Sequence, residues 1–303
     1  MASNPTKLSN ETVWFVTGCS SGLGKALATT IYNSGHHIVA TARNIKSLSY
    51  LPDDARVLKF ALDVTSQESI AVVVNSVVQT WSHIDVFINN AGYSLVGDTE
   101  AISETDARLQ LETLFWGPVH ITKEALRVFR EVNPQGQGGT VLQISSMGGW
   151  WTAPGHSYYH ASKFALEGFT ESVAQEMNPD WNIKLMIVAP GGIRTNFAGP
   201  NMNIAARHSA YNTPNTVFNQ ILDYITNPES QATWSDPNIC ARLIFDTVVA
   251  QNERQLPMRL LLGAETIPLI KGDIQKTLTE IDSWAEETVK CSPGGGAVLG
   301  SGS

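Results

Sequence analysis

Three residues near the middle of the chain have the types and spacing needed for proton transfer. Tyr159 and Lys163 are four positions apart, so on a helix they lie on one face, one turn from each other. A fixed ammonium group favours phenolate, and lowering a phenol pKa from about 10 to about 7 takes roughly 4 kcal/mol of preferential stabilisation. Ser146, thirteen residues before Tyr159, supplies a hydroxyl that can hold a carbonyl oxygen beside the phenol. Because this spacing also occurs by chance between exposed polar residues, its meaning depends on what precedes it.

A glycine-rich turn follows the first apolar run of the chain. Residues 12–17 form a β-rich run, Gly18-x-x-x-Gly22-x-Gly24 comes next, and a helical pattern starts at Lys25. Glycines in a strand–turn–helix unit let the backbone approach a pyrophosphate, which lies on the helix N-terminus. The spacing differs from the Gly-x-Gly-x-x-Gly of the common dinucleotide fingerprint. We predict a phosphate-binding turn made of Gly18, Ser20, Ser21, Gly22, Leu23 and Gly24.

The residues after the second and third apolar runs bear on the choice of dinucleotide. Folds that bind NAD place an acidic side chain near the end of the second strand, where it takes the ribose hydroxyls. Here the neutral Ala42 is followed by the basic Arg43, which leaves room and charge for a 2′-phosphate. The sequence therefore favours NADPH/NADP+ over NADH, although Arg43 would also be ordinary as a solvated loop residue. Asp63, followed by Val64, is placed to accept a hydrogen bond from an adenine amino group.

Strand and helix patterns alternate along the chain. Apolar, β-rich runs predict strands at residues 12–17, 37–42, 57–62, 84–88, 140–144, 183–188 and 259–263. Helical patterns follow from residue 25, from a capping box at residues 65–68 to about 81, and at about 104–131, 159–176, 236–251 and 264–288. Such alternation predicts an α/β fold, a Rossmann-type doubly wound parallel sheet with helices on both faces. Residues 1–293 would form this single NAD(P)-binding domain.

Two short motifs follow predicted strands at the edge where open parallel sheets bind ligands. Asn89-Asn90-Ala91-Gly92 follows the fourth strand and Pro190-Gly191 follows the sixth. Residues 194–235 then lose regular periodicity and are rich in Asn, Thr, Pro and Ala, which predicts a lid over the substrate. Residues 294–303 have the Gly/Ser composition of a flexible tail.

Composition argues against several classes of protein. The formal net charge of -8 disfavours a nucleic-acid surface. Three widely separated cysteines and scattered histidines suggest neither a disulfide framework nor a metal site. No run approaches the roughly 18–20 apolar residues that span a membrane. We expect a soluble protein of the reducing cytoplasm with no bound metal.

Taken together, the spaced motifs resemble the short-chain dehydrogenase/reductase family. These motifs are the glycine turn, the Asn-Asn-Ala-Gly stretch, Ser146 with Tyr159-x-x-x-Lys163, and Pro190-Gly191. The resemblance covers about residues 12–290, and the combination is far more specific than any single piece. Within the family, the segments at 17–24, 40–43 and 159–168 are most similar to NADPH-preferring fungal members and to carbonyl and hydroxysteroid reductases.

The resemblance implies a role for each matched residue. Tyr159 would be the general acid in reduction, Lys163 would lower its pKa and bind the nicotinamide ribose, and Ser146 would polarise the carbonyl. Of the neighbouring candidates, Tyr158 and Ser145 do not satisfy the spacing. Further cofactor contacts are implied for Asn90, Ala91, Gly92, Pro190, Gly191, Ile193 and Thr195, the last of these at the carboxamide.

One position departs from the family pattern. Residues 113–118 read Thr-Leu-Phe-Trp-Gly-Pro, so Leu114 stands where the family commonly has a catalytic asparagine. That asparagine holds a water that links the lysine to solvent, which leucine cannot do. Three interpretations remain open: a proton relay shifted to Thr113 or to a backbone carbonyl, a drift to non-redox chemistry, or an engineered or impaired variant.

The substrate is predicted to be a bulky, hydrophobic small molecule, such as a secondary metabolite. Large or apolar side chains fall in segments that border the predicted site: Tyr93, Leu114, Trp150, Trp151 and Phe197. The leading hypothesis is an NADPH-dependent ketone or aldehyde reductase, or the reverse alcohol oxidation. The alternatives are a non-redox isomerase or cyclase and a cofactor-sensing binding protein. By resemblance alone, a homodimer or homotetramer is expected, paired through the helices that contain residues 104–131 and Tyr159.

Overall fold

Seven parallel strands form the central sheet of the protein. The computed structural model describes residues 8–199, 202–211, 213 and 216–292. The predicted tail at 294–303 and five residues of the predicted lid lie outside the described residues. The strands are β1 (Val13–Val16), β2 (His37–Ala42), β3 (Val57–Ala61), β4 (Val86–Asn89), β6 (Gly139–Ile144), β7 (Ile183–Pro190) and β9 (Arg259–Leu262). Their order in the sheet is β3-β2-β1-β4-β6-β7-β9, and every pairing is parallel.

Helices cover both faces of this sheet, as predicted. The helices are α1 (Gly22–Asn33), α2 (Gln67–Trp81), α3 (Glu104–Leu111), α4 (Gly117–Arg127), α5 (Ser157–Glu176), α6 (Val217–Thr226), α7 (Pro228–Ala232), α8 (Pro237–Val249) and α9 (Thr266–Thr288). Side chains of β1 alternate between the two faces, which is the period of a strand. Trp14 and Val16 pack in a core with α1 and α8, whereas Val13 and Phe15 pack in a core with α2, α4 and α5. This arrangement confirms the Rossmann-type doubly wound sheet.

The strand order reverses between β1 and β4, and this reversal places the site. At such a switch point, the crossovers leave in opposite directions and open a crevice beyond the carboxyl ends of the strands. The glycine turn follows β1, and the Asn-Asn-Ala-Gly stretch begins at the last residue of β4. Ser146 lies two residues after β6, and Pro190 ends β7. The four motifs therefore converge on one edge of the sheet although they are spread over more than half of the chain.

Several local predictions differ from the structure. The N-cap of α2 is Ser66, whose hydroxyl accepts a hydrogen bond from the Ser69 amide, and not Thr65. The reason is that the Thr65 hydroxyl donates to the Asp63 carboxylate instead. The helix around Tyr159 begins two residues earlier, at Ser157. The helical pattern at 104–131 is also not one regular helix, because π-helical turns at Glu112–Trp116 and Val128–Val132 interrupt it.

The two ends of the irregular segment after β7 lie next to each other in the fold. Ile193 and Ser235 form a parallel bridge, and Arg194 pairs with Asp236 at 2.9 Å. Between these ends the described residues contain α6, α7 and β8 (Met202–Ile204), which pairs with β5 (Ser94–Val96) in a small second sheet that the sequence did not predict. The excursion is thus closed at its base and attached at its far side to the segment that follows β4. Among the described residues, no helix has the length and apolar character of a bilayer span.

Candidate functional site

The glycine turn is shaped to bring backbone close to an anionic ligand. Gly18 and Gly22 have positive φ angles of 71° and 54°, which favour glycine because side chains clash in this region. A methyl group on Gly24 would overlap the Gly18 carbonyl oxygen. Ser21 is the N-cap of α1, but its side chain does not cap the helix. The first amide groups of α1 are therefore open to an external acceptor, which suits a pyrophosphate.

The side chains of the residues that directly follow β1 and β4 hold this turn in place. The Asn90 amide donates to the carbonyl oxygens of Thr17 (2.8 Å) and Gly18 (3.2 Å). In return, the Thr17 hydroxyl accepts from the backbone amides of Asn90 and Ala91. The sequence predicts that Asn90 lines the cofactor, and the structure shows in addition that it supports the glycine turn. Thr17 was not among the predicted site residues, although its position directly before the first glycine could have indicated it.

The residue before Asn90 points inward. The Asn89 amide donates to the Gln143 side-chain oxygen on the neighbouring strand at 2.9 Å, and the Gln143 amide donates to Thr122 at 2.9 Å. This buried polar chain ties β4, β6 and α4 together immediately behind the site. The Asn89 side-chain oxygen has no hydrogen-bond partner among the described residues, but the bonds through its amide nitrogen and through Gln143 fix how the ends of these strands meet. Sequence patterns did not reveal it, because Gln143 and Thr122 belong to different elements.

The predicted adenosine end of the site carries a free cation. Arg43 follows β2 and is exposed, with no ion pair among the described residues. Its charge reaches the Tyr93 phenol, where it opposes the rise in pKa that burial causes. Asp63 is exposed, but one of its carboxylate oxygens accepts two bonds from Thr65. Val64 packs against Gly117 at the start of α4.

At the opposite end of the crevice, a carboxylate holds the turn after β7. Glu265 accepts a hydrogen bond from the Gly192 amide at 2.9 Å, and a methyl on Gly191 would collide with the same carboxylate. Thr195 packs against Gly22 of the glycine turn and caps the short helical turn that contains Phe197. The fold therefore brings the predicted residues Pro190, Gly191, Ile193 and Thr195 to the crevice. Glu265 was missed, because no local pattern connects it to Gly192.

The predicted catalytic residues meet where α5 crosses the end of β6. Tyr159 and Lys163 are 8% and 7% exposed, and they lie one turn apart on α5. The Lys163 ammonium donates to the Ile144 carbonyl at 2.8 Å and lies 5.8 Å from the centre of the Tyr159 ring. Ser146 hydrogen-bonds the Tyr159 side chain, and its hydroxyl also accepts from the Gly148 amide at 3.0 Å. The structure thus joins the three residues that the spacing had selected.

Burial moves the two titratable groups in opposite directions. It raises the pKa of Tyr159 to about 12, and the hydrogen bond with Ser146 opposes this rise only in part. It lowers the pKa of Lys163 to about 8, against the opposing effect of the Glu167 carboxylate. The expectation that Lys163 brings the tyrosine pKa near neutrality therefore differs from the structure. The reason is that the ammonium bonds a backbone carbonyl rather than the phenol, so burial dominates.

His160 fixes the loop between Ser146 and the helix. One ring nitrogen bonds the Gly148 carbonyl at 2.8 Å, and the other accepts from the Ala153 amide at 2.9 Å. These bonds require the neutral ring with its proton on Nδ1, and burial correspondingly lowers the pKa of His160. The loop that carries Trp150 and Trp151 is therefore attached at both ends to the turn of helix that follows Tyr159. His160 adjoins the predicted tyrosine, but its type alone did not indicate this role.

Leu114, which stands where the sequence resemblance implies a catalytic asparagine, lies on the other side of the crevice. It is 1% exposed, lies within a π-helical turn, and packs beside Gly92. Irregular turns of this kind frequently occur at functional sites. The Thr113 hydroxyl donates to the Leu109 carbonyl of its own helix at 2.9 Å, so it is already engaged. Of the two shifted relays that the sequence left open, the backbone carbonyl is the one that Lys163 actually contacts, at Ile144.

The predicted substrate residues are distributed unequally around Tyr159. The Phe197 ring lies edge-on to the Tyr159 ring at 6.0 Å, so the segment after β7 reaches the phenol. Tyr93 and Trp151 are half-buried. Trp150 instead packs under the Arg259 guanidinium at 4.9 Å, beside a cavity of about 230 Å³. Ser146 borders this cavity but Tyr159 does not, so the cavity lies beside the phenol and not around it.

Comparison with known proteins identifies the family of the chain. The model of the short chain dehydrogenase family matches residues 12–203. Oxidoreductase calM of Penicillium decumbens is 39% identical over 287 residues, which cover 93% of each chain. An uncharacterized oxidoreductase of Schizosaccharomyces pombe is 36% identical over 268 residues, 88% of this chain and 87% of that one. A short-chain dehydrogenase from Streptomyces avermitilis, known from its crystal structure, has a TM-score of 0.81 at 32% identity and covers 94% of this chain and 100% of that chain.

The chain belongs to the short-chain dehydrogenase family, which confirms the resemblance drawn from the motifs. It is an oxidoreductase of that family, a class of enzymes that uses nicotinamide cofactors. The glycine turn with its uncapped helix N-terminus fits such a cofactor. Since the matched relatives are named as oxidoreductases, the comparisons do not favour the non-redox isomerase or cyclase that Leu114 had left open.

Proposed function

We propose that the protein is an NADPH-dependent reductase of bulky hydrophobic ketones or aldehydes, which also catalyses the reverse oxidation of the alcohol. The observation that carries the proposal is the arrangement of Tyr159, Ser146 and Lys163 at the end of β6. With pKa values of about 12 and about 8, the phenol is protonated and the ammonium is mostly charged at neutral pH. This combination of a proton donor beside a cation is the form that carbonyl reduction requires.

The protein's own residues divide the work of reduction. When bound, the cofactor of this family supplies a hydride to the carbonyl carbon. Ser146 donates a hydrogen bond to the carbonyl oxygen and thereby stabilises the negative charge that develops there. Tyr159 gives its proton to that oxygen, and the charge of Lys163 stabilises the phenolate that remains. The glycine turn and the residues after β4 and β7 hold the dinucleotide against the sheet edge.

The substrate and the location of the enzyme form the finer part of the proposal. Phe197 beside Tyr159 supports a hydrophobic substrate, and the segment 194–235, fixed at its base by the Ile193–Ser235 bridge, would cover it as a lid. A secondary metabolite with a carbonyl group fits this description. We place the enzyme in the cytoplasm because its composition is that of a reducing-compartment protein.

Replacement of the general acid provides the first test. We expect Tyr159→Phe to lower kcat for carbonyl reduction by at least about 10²–10⁴-fold, because the proton donor is lost while the ring still fills its place. Turnover is followed by NADPH absorbance with a panel of hydrophobic ketones and aldehydes. Tyr158→Phe is the matched control, since it removes the same hydroxyl from the adjacent residue. Unchanged turnover in Tyr159→Phe would reject the assignment.

Cofactor choice is tested at Arg43. We expect Arg43→Ala to weaken NADPH binding by roughly 10–100-fold, the range of a charge-assisted hydrogen bond, and to leave NADH binding nearly unchanged. Dissociation constants are measured for both dinucleotides by fluorescence. Lys46→Ala, which removes an exposed positive charge three residues later, controls for a general loss of charge. Equal weakening of both cofactors in Arg43→Ala would contradict a contact with the 2′-phosphate.

Leu114→Asn tests whether the missing asparagine limits the enzyme. We expect no gain in kcat, because Lys163 already contacts a backbone carbonyl. We also expect a loss of roughly 3–5 kcal/mol in the free energy of unfolding, since an amide would replace a fully buried apolar side chain. Denaturant titration measures the stability, and Leu114→Met is the volume-conserving control. A rise in kcat of tenfold or more would mean that leucine impairs the natural proton route.

A homodimer or homotetramer is part of the proposal. Large apolar side chains are exposed on the helices that the resemblance assigns to the interface: Leu109 (50%), Trp116 (43%) and Phe164 (44%). Exposed apolar patches of this kind on a protein surface often mark an interface. Light scattering during size-exclusion chromatography should give the mass of two or four chains. A single chain at micromolar concentration would contradict the assembly.

A further inference from the structure

Helix α5 bonds three consecutive residues, the last residue of β6 and the two that follow it. Tyr159 bonds Ser146, Lys163 bonds the Ile144 carbonyl, and Glu167 accepts from the Ser145 hydroxyl at 2.6 Å. The three helix residues are spaced four apart, so they line one face of α5. Two of these contacts belong to the proposed catalytic set. The third, at Glu167, has no part in the reaction as described above.

Burial of the Glu167 carboxylate would cost free energy if its charge had no partner. Its side chain is 3% exposed, and an isolated carboxylate would not remain charged in such a place. Its second oxygen accepts from the Arg259 guanidinium at 2.7 Å, and Glu171 also pairs with that guanidinium. A methyl on Gly149 would collide with Glu167, so the loop after Ser146 packs directly on the carboxylate. The ion pair therefore joins α5, the end of β6 and the last strand, β9.

We propose that Glu167, paired with Arg259, is a positioning residue of the reaction: it fixes Ser146 through the neighbouring Ser145 and keeps Lys163 positively charged. The inference rests on the proposed reductase function, since it assigns a task to a residue behind that site. Its physical basis is that Lys163 and Glu167 lie one turn apart on α5 and bond two adjacent residues, the last residue of β6 and the one that follows it. A carboxylate at this position favours the ammonium form of the lysine.

The charged groups around Lys163 determine the direction in which Glu167 shifts the pKa of the lysine. On α5 itself, Tyr159 and Glu167 flank the lysine, and burial lowers the pKa of Lys163 to about 8 while Glu167 raises it. From β9, Arg259 lies behind Glu167, with Glu171 on its far side. Loss of the Glu167 charge would therefore lower the lysine pKa further. More of the lysine would then be neutral at pH 7–8, where it has to hold the cofactor ribose and the phenolate.

The ion pair of Glu167 and Arg259 also holds the loop after Ser146 in place. The Arg259 guanidinium lies over the Trp150 ring at 4.9 Å, a distance at which a cation attracts the face of an indole. Glu167 and Arg259 provide the charged groups in the wall of the 230 Å³ cavity, which is otherwise mostly apolar. Movement of this pair would shift Trp150 and the backbone next to Ser146 together. Position and charge at the proposed active site thus depend on one contact between α5 and β9.

Glu167→Gln tests the charge without removing the hydrogen-bonding shape. NADPH dissociation constants are measured by fluorescence from pH 6 to pH 10, which requires no substrate. In the natural protein, we expect binding to weaken as the pH rises through about 8, because Lys163 loses its charge. This fall in affinity is the alkaline limb of the pH profile. In Glu167→Gln, the alkaline limb should move to lower pH by about one unit. Glu167→Asp should leave the limb in place, and Glu176→Gln, at an exposed position on the same helix, is the charge-matched control.

Ser145→Ala tests the positioning role separately and keeps every charge. We expect kcat to fall about tenfold, the effect of one lost hydrogen bond, while the alkaline limb stays where it is. The inference would be overturned if NADPH binding by a folded Glu167→Gln protein weakens at the same pH as in the natural protein. It would also be overturned if Ser145→Ala keeps the kcat of the natural protein. Absence of NADPH binding and of reductase activity in the natural protein would instead reject the proposed function. The melting temperature and circular dichroism of each variant establish that it is folded.

Discussion

The organisation of the site depends on how one buried ammonium group is stabilised away from water. Lys163 is 7% exposed, and moving a charged amine out of water is costly unless it gains partners. The protein provides the Ile144 carbonyl at 2.8 Å and, one helical turn further, the Glu167 carboxylate. Both partners are fixed only if α5 lies tightly across the end of β6. The contacts of the lysine and the packing of the helix that also carries Tyr159 therefore depend on each other.

The same packing gives Tyr159 its character. A phenol that is 8% exposed is held in its protonated form, since burial penalises the phenolate more than the Ser146 hydrogen bond favours it. Burial thus acts on both residues, but it makes the tyrosine a weaker acid and the lysine a stronger one. In this pair, the lysine changes charge nearest to physiological pH. The charge of the lysine, rather than that of the tyrosine, is therefore the one that neighbouring residues can change near neutral pH.

Much of the fold and the centre of the site could be predicted from the sequence. The seven main strands are short apolar runs followed by turns or helices, and the glycine turn and Tyr159-x-x-x-Lys163 are local patterns whose geometry follows from spacing. The features that were missed depend on residues far apart in the chain. Arg259 and Glu167 are 92 positions apart, and Glu265 bonds Gly192 across 73. Three-residue strands such as β5 and β8 contain too few residues to show a period of two.

The adjacent tryptophans show how a puzzling local feature is resolved by such a distant contact. Two consecutive indoles between a strand and a helix cannot easily both face the core, because neighbouring side chains diverge. The structure leaves both half-buried and gives Trp150 a charged partner, Arg259, whose other side bonds Glu167. The indole thus shields a guanidinium that is itself needed to neutralise a buried carboxylate. The aromatic face adds a favourable contact with this cation to the two ion pairs that the guanidinium makes with Glu167 and Glu171, which an aliphatic side chain would not do. Trp150 is therefore better explained by the ion pair behind Ser146 than by hydrophobic packing alone.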